Sequence, residues 1–243
     1  MISKDSILRK IPVAIEPKQA MFIDGIRNSA EIIDLAYSRL CNTLTHLALE
    51  PPSPESLQTT APSAFLDAWA IVDAVDRFRM LYQLMPGITF VAPEAGVKTL
   101  KEVMQPFRDL RNVADHLAQR ADYVVAKGGA ALGVLSWVTG FKVDPPTLWF
   151  CTLRPGSIRK PPEFRQEPLT TTVDWPTDRI CLVAGEYEGN LSSIRPHIER
   201  RVKHLEAQLE NAFAKFGVLD GPAANDVFLR QAYQLAPGQG PQE

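Results

Sequence analysis

The sequence has no long apolar run. One of its two longest stretches without a charged residue lies between Lys127 and Lys142, is 14 residues long and is rich in glycine. A membrane-spanning helix needs about 18 or more apolar residues, so this stretch is too short to form one. No apolar segment follows the charged start Met1-Ile-Ser-Lys-Asp5, so no secretory signal is visible. Cysteine is scarce: Cys41, Cys151 and Cys181 are odd in number and widely spaced, which reads as buried thiols in a reducing compartment and excludes a disulfide framework. The expected location is therefore cytoplasmic, without membrane attachment. Neither charge sign dominates, since 26 Lys+Arg meet 28 Asp+Glu. That balance excludes a strongly basic nucleic-acid-coating protein and leaves room only for a local basic groove. The common catalytic signatures are missing too. There is no GxGxxG, no HExxH, no CxxC and no GxSxG, and Lys127-Gly-Gly-Ala-Ala-Leu-Gly133 lacks the GK[ST] of a phosphate loop.

What the chain does have is proline and helical periodicity. Twenty prolines in 243 residues cluster at Pro51–Pro54, at Pro145-Pro146, from Pro155 to Pro176 and after Pro222. Four long segments between them carry apolar residues at steps of three and four. The first helix is expected from Gly25 to Leu49, with Asp24 as cap and Pro51 as terminator. The second is expected from Thr60 to Met85 after a Ser/Thr/Pro-rich linker, and the third from Gly96 to Ala126, ended by Gly128-Gly129. The fourth runs from Ser192 to Phe216, capped by Asn190 or Ser192 and closed by Gly217. The period changes at Leu132–Thr139, Thr147–Thr152 and Ile180–Ala184, short Val/Leu/Trp/Phe/Thr-rich runs that read as strands. Lys10–Ile15 reads as an added edge strand, and a short helix is expected near Asn225–Leu235. The loop from Pro155 to Asp178 and the tail after Gly221 should be the most mobile parts.

Four amphipathic stripes must be buried against one another. The expected architecture is α+β: a four-helix bundle with a small antiparallel sheet inserted between the third and fourth helices. Residues 1–127 would supply three helices and the N-terminal strand, 128–189 the sheet and loop, and 190–243 the last helix and tail.

Two polar constellations stand out. In the second helix, Asp73, Asp76, Arg77 and Arg79 follow Trp69, and Asp73 and Arg77 have the spacing of a helical ion pair. Either they form a solvated face, or they line a cleft against the third helix. In the third helix, Arg108-Asp-Leu-Arg111-Asn112-Val-Ala-Asp115-His116 places Asn112 and His116 opposite the apolar stripe, with Arg108 nearby and Arg111 on one flank. Histidine can move protons near neutral pH, arginine can hold a phosphate through two hydrogen bonds, and an amide one turn away can orient the imidazole. Truncating such off-stripe residues should change stability by about 0.5 kcal/mol. His197 and His204 on the last helix, with Glu199 and Glu206 beside them, have a spacing better explained by surface charge than by a metal site.

Arg111-Asn112-x-x-x-His116 on a late bundle helix resembles the Rx4–6H motif of HEPN-type proteins. The chain is also similar to a group of uncharacterised bacterial proteins with an Asp-Ala-Trp-x-Ile-Val-Asp helix, here Asp67 to Asp73, and a Gly-x-Leu-Ser-Trp strand, here Gly133 to Trp137. The HEPN resemblance implies a metal-independent, cofactor-free endoribonuclease of a toxin or defence system, working as a homodimer on RNA and paired with an antitoxin or other protein. On that reading Arg111, Asn112 and His116 are catalytic and Arg108 binds substrate. Ala118 stands where some nuclease members have tyrosine. The resemblance equally covers non-catalytic bundles that bind a protein or a small ligand, and a bland surface ion pair remains the third reading.

Overall fold

A computed structural model describes residues 1–87, 99–126, 129–141, 147–156, 176–217 and 221–231. The fold is mixed α+β; the described residues form five α-helices and two small antiparallel sheets around one hydrophobic core.

Helix α1 spans Pro17–Leu49 and begins well before the expected Gly25. The earlier start has a local cause. The Glu16 carboxylate accepts hydrogen bonds from the Lys18 and Gln19 amides, and Pro17 occupies the first helical position, where its missing N–H costs nothing. Helix α2, Pro54–Leu84, repeats the device with Ser53 as cap and Pro54 at its start. The expected linker is thus the first two turns of a helix, in which the Thr59 and Thr60 hydroxyls donate back to the Ser56 carbonyl. With residues 50–53 between them, α1 and α2 pack along their length through Ile26, Ile33, Leu40, Ala68, Val72 and Val75, all fully buried.

Helix α3, Leu100–Asp115, starts from a complete capping box between Thr99 and Glu102. It ends eleven residues short of the expected Ala126. His116 leaves helical geometry at φ −114°, ψ 23°, a turn follows, and the short helix α4 takes up at Ala121–Ala126. The apolar spacing continues from Leu117 to Val124 across this break, and for that reason periodicity passes straight through it.

The larger sheet comprises β2, Val134–Phe141; β3, Thr147–Leu153; β4, Thr177–Ala184; and β5, Tyr187–Asn190, in the order β3-β2-β4-β5. The last of these was not expected from sequence. Its pairing with β4 is set by a two-residue turn in which Gly185 supplies the positive φ of 62°. Between Ser136 and Val138 the β2–β4 register shifts, and Arg179, opposite this point, sits at φ 52° as the extra residue of a bulge. At the entry to β2, Gly133 has φ 77°, and a Cβ there would collide with the Val183 carbonyl.

Helix α5, Leu191–Phe216, follows β5 directly. Asn190 caps it, and Gly217 closes it in the left-handed conformation. It packs on β4 and α1, while α3 lies between α2 and β5. A side chain at Gly189 would meet Leu110 and Phe107, so the glycine sets how closely β5 approaches α3.

The β structure is not confined to one inserted block. The N-terminal strand β1, Ile11–Pro12, does not join the edge of the main sheet; it pairs with β6, Ala223–Ala224, near the other end of the chain. Asp226 follows β6 and receives two hydrogen bonds from Arg27 of α1, at 3.1 and 2.8 Å. The described residues after Asn225 contain no helix, and beyond Asp226 they are exposed. Of the expected mobile loop and tail, residues 157–175 and 232–243 lie outside the described residues. Among the described residues, no helix is long and apolar enough to cross a membrane.

Candidate functional site

The seam between α2 and α3 is where the charged residues of both helices meet. Asp76, Arg79 and Tyr82 lie on the buried side of α2, and Arg111 reaches across from α3. Arg79 donates to one Asp76 oxygen through Nε, at 2.9 Å, and through Nη2, at 2.7 Å. The other oxygen of the same carboxylate accepts from Nη1 of Arg111 at 3.0 Å. Arg111 Nε lies 3.4 Å from Asp73 and 3.7 Å from Asp115. Asp73 in turn holds Arg77 at 2.7 Å, the ion pair its spacing suggested. The cleft and solvated-face readings of α2 therefore both apply: Asp76 and Arg79 face α3, while Arg77 stays exposed.

The remaining residues of the motif are dispersed. Arg108 and Asn112 are exposed on the outer face of α3, and His116 is exposed at the helix end, one residue past the last helical turn. No hydrogen bond or ion pair joins Arg111 to His116 among the described residues. The helix brings Arg111 to the α2 carboxylates and leaves Arg108, Asn112 and His116 facing solvent. Trp69 of the Asp-Ala-Trp segment is structural, donating from Nε1 to the Leu132 carbonyl at 3.1 Å and so tying α2 to the entry of β2. Asp67, which opens that segment, is buried; burial pushes its carboxyl up, and Arg39 at 3.3 Å counters part of the effect.

Comparison of the chain with protein-family models, with curated protein sequences and with solved structures finds no match.

A second site lies on the other flank of α3, which sequence reasoning missed. Between α3 and α5, over β5, runs a groove of about 740 Å³. One wall, from Leu100, Val103, Pro106 and Phe107 of α3, is apolar apart from Glu102; the other, from α5, carries the cations Arg200 and Arg201 between His197 and His204. The four α5 residues stand at i, i+3, i+4 and i+7, which puts them on one helix face. That spacing was available in the sequence. The apolar wall was not, because Leu100 and Val103 share the helical spacing of the buried Phe107 and Leu110, yet both are only half-buried.

Local bonds organise the cationic wall. Arg200 Nη2 lies 2.8 Å from His197 Nδ1. A guanidinium can only donate, so Nδ1 accepts and the imidazole carries its proton on Nε2. Burial pushes the Tyr82 hydroxyl up, and the Arg201 guanidinium acts in the opposite sense. Two carboxylates, Glu102 and Glu188, also line the groove, as do Asn190 and Ser193. Glu102 is already committed, its Oε2 accepting from both the amide and the hydroxyl of Thr99.

The histidines do not assemble a metal centre. Glu199 pairs with Lys203 at 3.0 Å, which holds its carboxyl low, and Glu206 accepts from the Ser6 hydroxyl. Among the described residues, no three His, Cys, Asp or Glu side chains come together as a metal site. The cysteines form no disulfide; all three are half-buried, and burial pushes the Cys41 and Cys151 thiols up, away from nucleophilic character.

Proposed function

We propose that this chain is a non-catalytic HEPN-like helical module that binds a ligand in the groove between α3 and α5. The observation that carries this reading is the engagement of Arg111 by Asp73, Asp76 and Asp115. A nuclease of the expected kind needs a guanidinium whose positive field is open to a phosphate. Here the single positive charge of Arg111 lies within ion-pair distance of three carboxylates, and Asp76 is shared with a second arginine. An incoming phosphate would meet acidic side chains before it met an unpaired cation. The groove on the opposite flank has the reverse character: a volume suited to a small ligand, an apolar wall and convergent donors.

The test is RNA degradation by purified protein, with Arg111→Ala and His116→Ala alongside. The expected result is no cleavage attributable to the protein. RNA cleavage that is present in the parent and absent in both variants would restore the ribonuclease reading, with its homodimer and RNA substrate.

A further inference from the structure

We infer that the groove takes a small amphipathic oxyanion, a single phosphomonoester carried on an apolar body. This rests on the groove being the ligand site. The argument starts from segregation of the two walls. Arg200 and Arg201 are neighbours on α5, with His197 and His204 one turn to either side, so four nitrogen-bearing side chains converge from one helix face. Two guanidiniums side by side match the double negative charge of a phosphomonoester better than the single charge of a carboxylate. The Arg200–His197 bond holds one of the two guanidiniums, so part of the ordering cost is met before a ligand arrives.

The opposite wall sets the rest of the ligand. Leu100, Val103, Pro106 and Phe107 offer no side-chain hydrogen bond, so the body that lies against them must be apolar. At about 740 Å³ the space far exceeds what one phosphate needs, and inorganic phosphate alone would leave the α3 wall wet. Glu102 of α3 and Glu188 of β5 also line the groove and limit how much negative charge it accepts. A nucleic-acid backbone with a phosphate at every step would run from the arginines onto these carboxylates, whereas a ligand with one charged end avoids them.

The test is titration calorimetry on the full chain with three probes: phenyl phosphate, inorganic phosphate and phenol. Phenyl phosphate should bind about tenfold or more tightly than either fragment. Arg200→Ala and Arg201→Gln should each weaken it about fivefold or more, and Val103→Asn should weaken phenyl phosphate while leaving inorganic phosphate unchanged. Lys203→Ala removes one positive charge from the same helix outside the groove and should have no effect; melting curves establish that each variant is folded. Equal affinity for phenyl phosphate and inorganic phosphate, or an equal loss in Lys203→Ala, overturns the proposal. Saturable phenol binding that Val103→Asn abolishes, with no gain from the phosphate, overturns the oxyanion while keeping the groove as a ligand site. Failure of all three probes, together with RNA cleavage that His116→Ala removes, overturns the binding-module reading itself.

Discussion

Replacing Arg111 by alanine separates a structural arginine from a catalytic one. If Arg111 were an off-stripe surface residue, its loss would change stability by about 0.5 kcal/mol. The structure argues for more. The Asp76 side chain is 7% exposed, and among the described residues Arg111 is the only donor to its Oδ2, at 3.0 Å. A charge-assisted hydrogen bond of this kind contributes about 1.5–3 kcal/mol, because its removal leaves a carboxylate oxygen in a poorly solvated place. Arg79 still holds Oδ1, so the carboxylate is not wholly abandoned and the full cost of about 3–5 kcal/mol for breaking a buried pair does not apply. The contacts to Asp73 and Asp115 are longer and exposed, and add about 0–1 kcal/mol before screening by salt. The sum is about 2 kcal/mol, or a fall in melting temperature of about 4–8 °C for a chain of this size. Calorimetric or denaturant melts of Arg111→Ala, Asp76→Ala and the double variant would measure it. The double-mutant cycle should return a coupling of about 1.5–3 kcal/mol between the two residues, and His116→Ala should stay within about 0.5 kcal/mol of the parent. An Arg111→Ala variant as stable as the parent, or a coupling near zero, would refute the account of the seam.

Three further outcomes are expected. Burial alone would raise the Asp34 carboxyl, but hydrogen bonds from the Met1 ammonium and Arg195 outweigh it and hold the group below its ordinary range. A depressed carboxyl stabilises above its unfolded pKa and loses that contribution as pH falls through the folded value, so Asp34→Asn should be less stable than the parent near neutral pH and the gap should close in acid; a gap constant with pH in melting curves would count against this. Gly133→Ala should cost about 1–3 kcal/mol in denaturant melts, since it combines a positive φ with a collision against the Val183 carbonyl; a neutral result would mean that the entry to β2 relaxes freely. Asp226→Ala should leave the core intact but speed tryptic cleavage at Arg230, read by mass spectrometry, because Arg27 then no longer holds the segment after β6; an unchanged cleavage rate would show that the clamp is not what holds it.

The helical core was legible because it depends on spacing. Ile23, Ile26, Ala30, Ile33, Leu40 and Leu44 in α1, and Ile194, Ile198, Val202, Leu205, Leu209 and Phe213 in α5, are buried as their periodicity requires. Helix starts were less legible, since Glu16-Pro17 and Ser53-Pro54 resemble loop composition while serving as cap and first helical residue. The end of α3 was illegible for a different reason: it turns on the backbone angles of one residue, His116, while the apolar spacing continues beyond it. The short β5 is only four residues long and alternates too briefly to register, and the pairing of β1 with β6 is non-local. At the candidate site, the sequence placed Arg111 on a flank correctly but could not show which neighbour that flank would meet. Whether an arginine is open to a ligand or closed by Asp76 depends on the packing of α2 against α3, information that no single helix carries.

The union of β1 with β6, fastened by Arg27 on Asp226, also orders events in time. Arg27 leaves the ribosome 199 residues before Asp226 does, an interval of about 10–40 s at ordinary rates of synthesis. Throughout it the emerging chain can assemble α1 against α2, but Ile11 and Pro12 have no strand to pair with and the Arg27 guanidinium lacks one of its two carboxylates. The first strand to be made is thus completed by the last, and a stalled or truncated nascent chain would present an open backbone edge beside α1. A quality-control protease could tell a finished molecule from an unfinished one at that spot, before any difference appeared in the core.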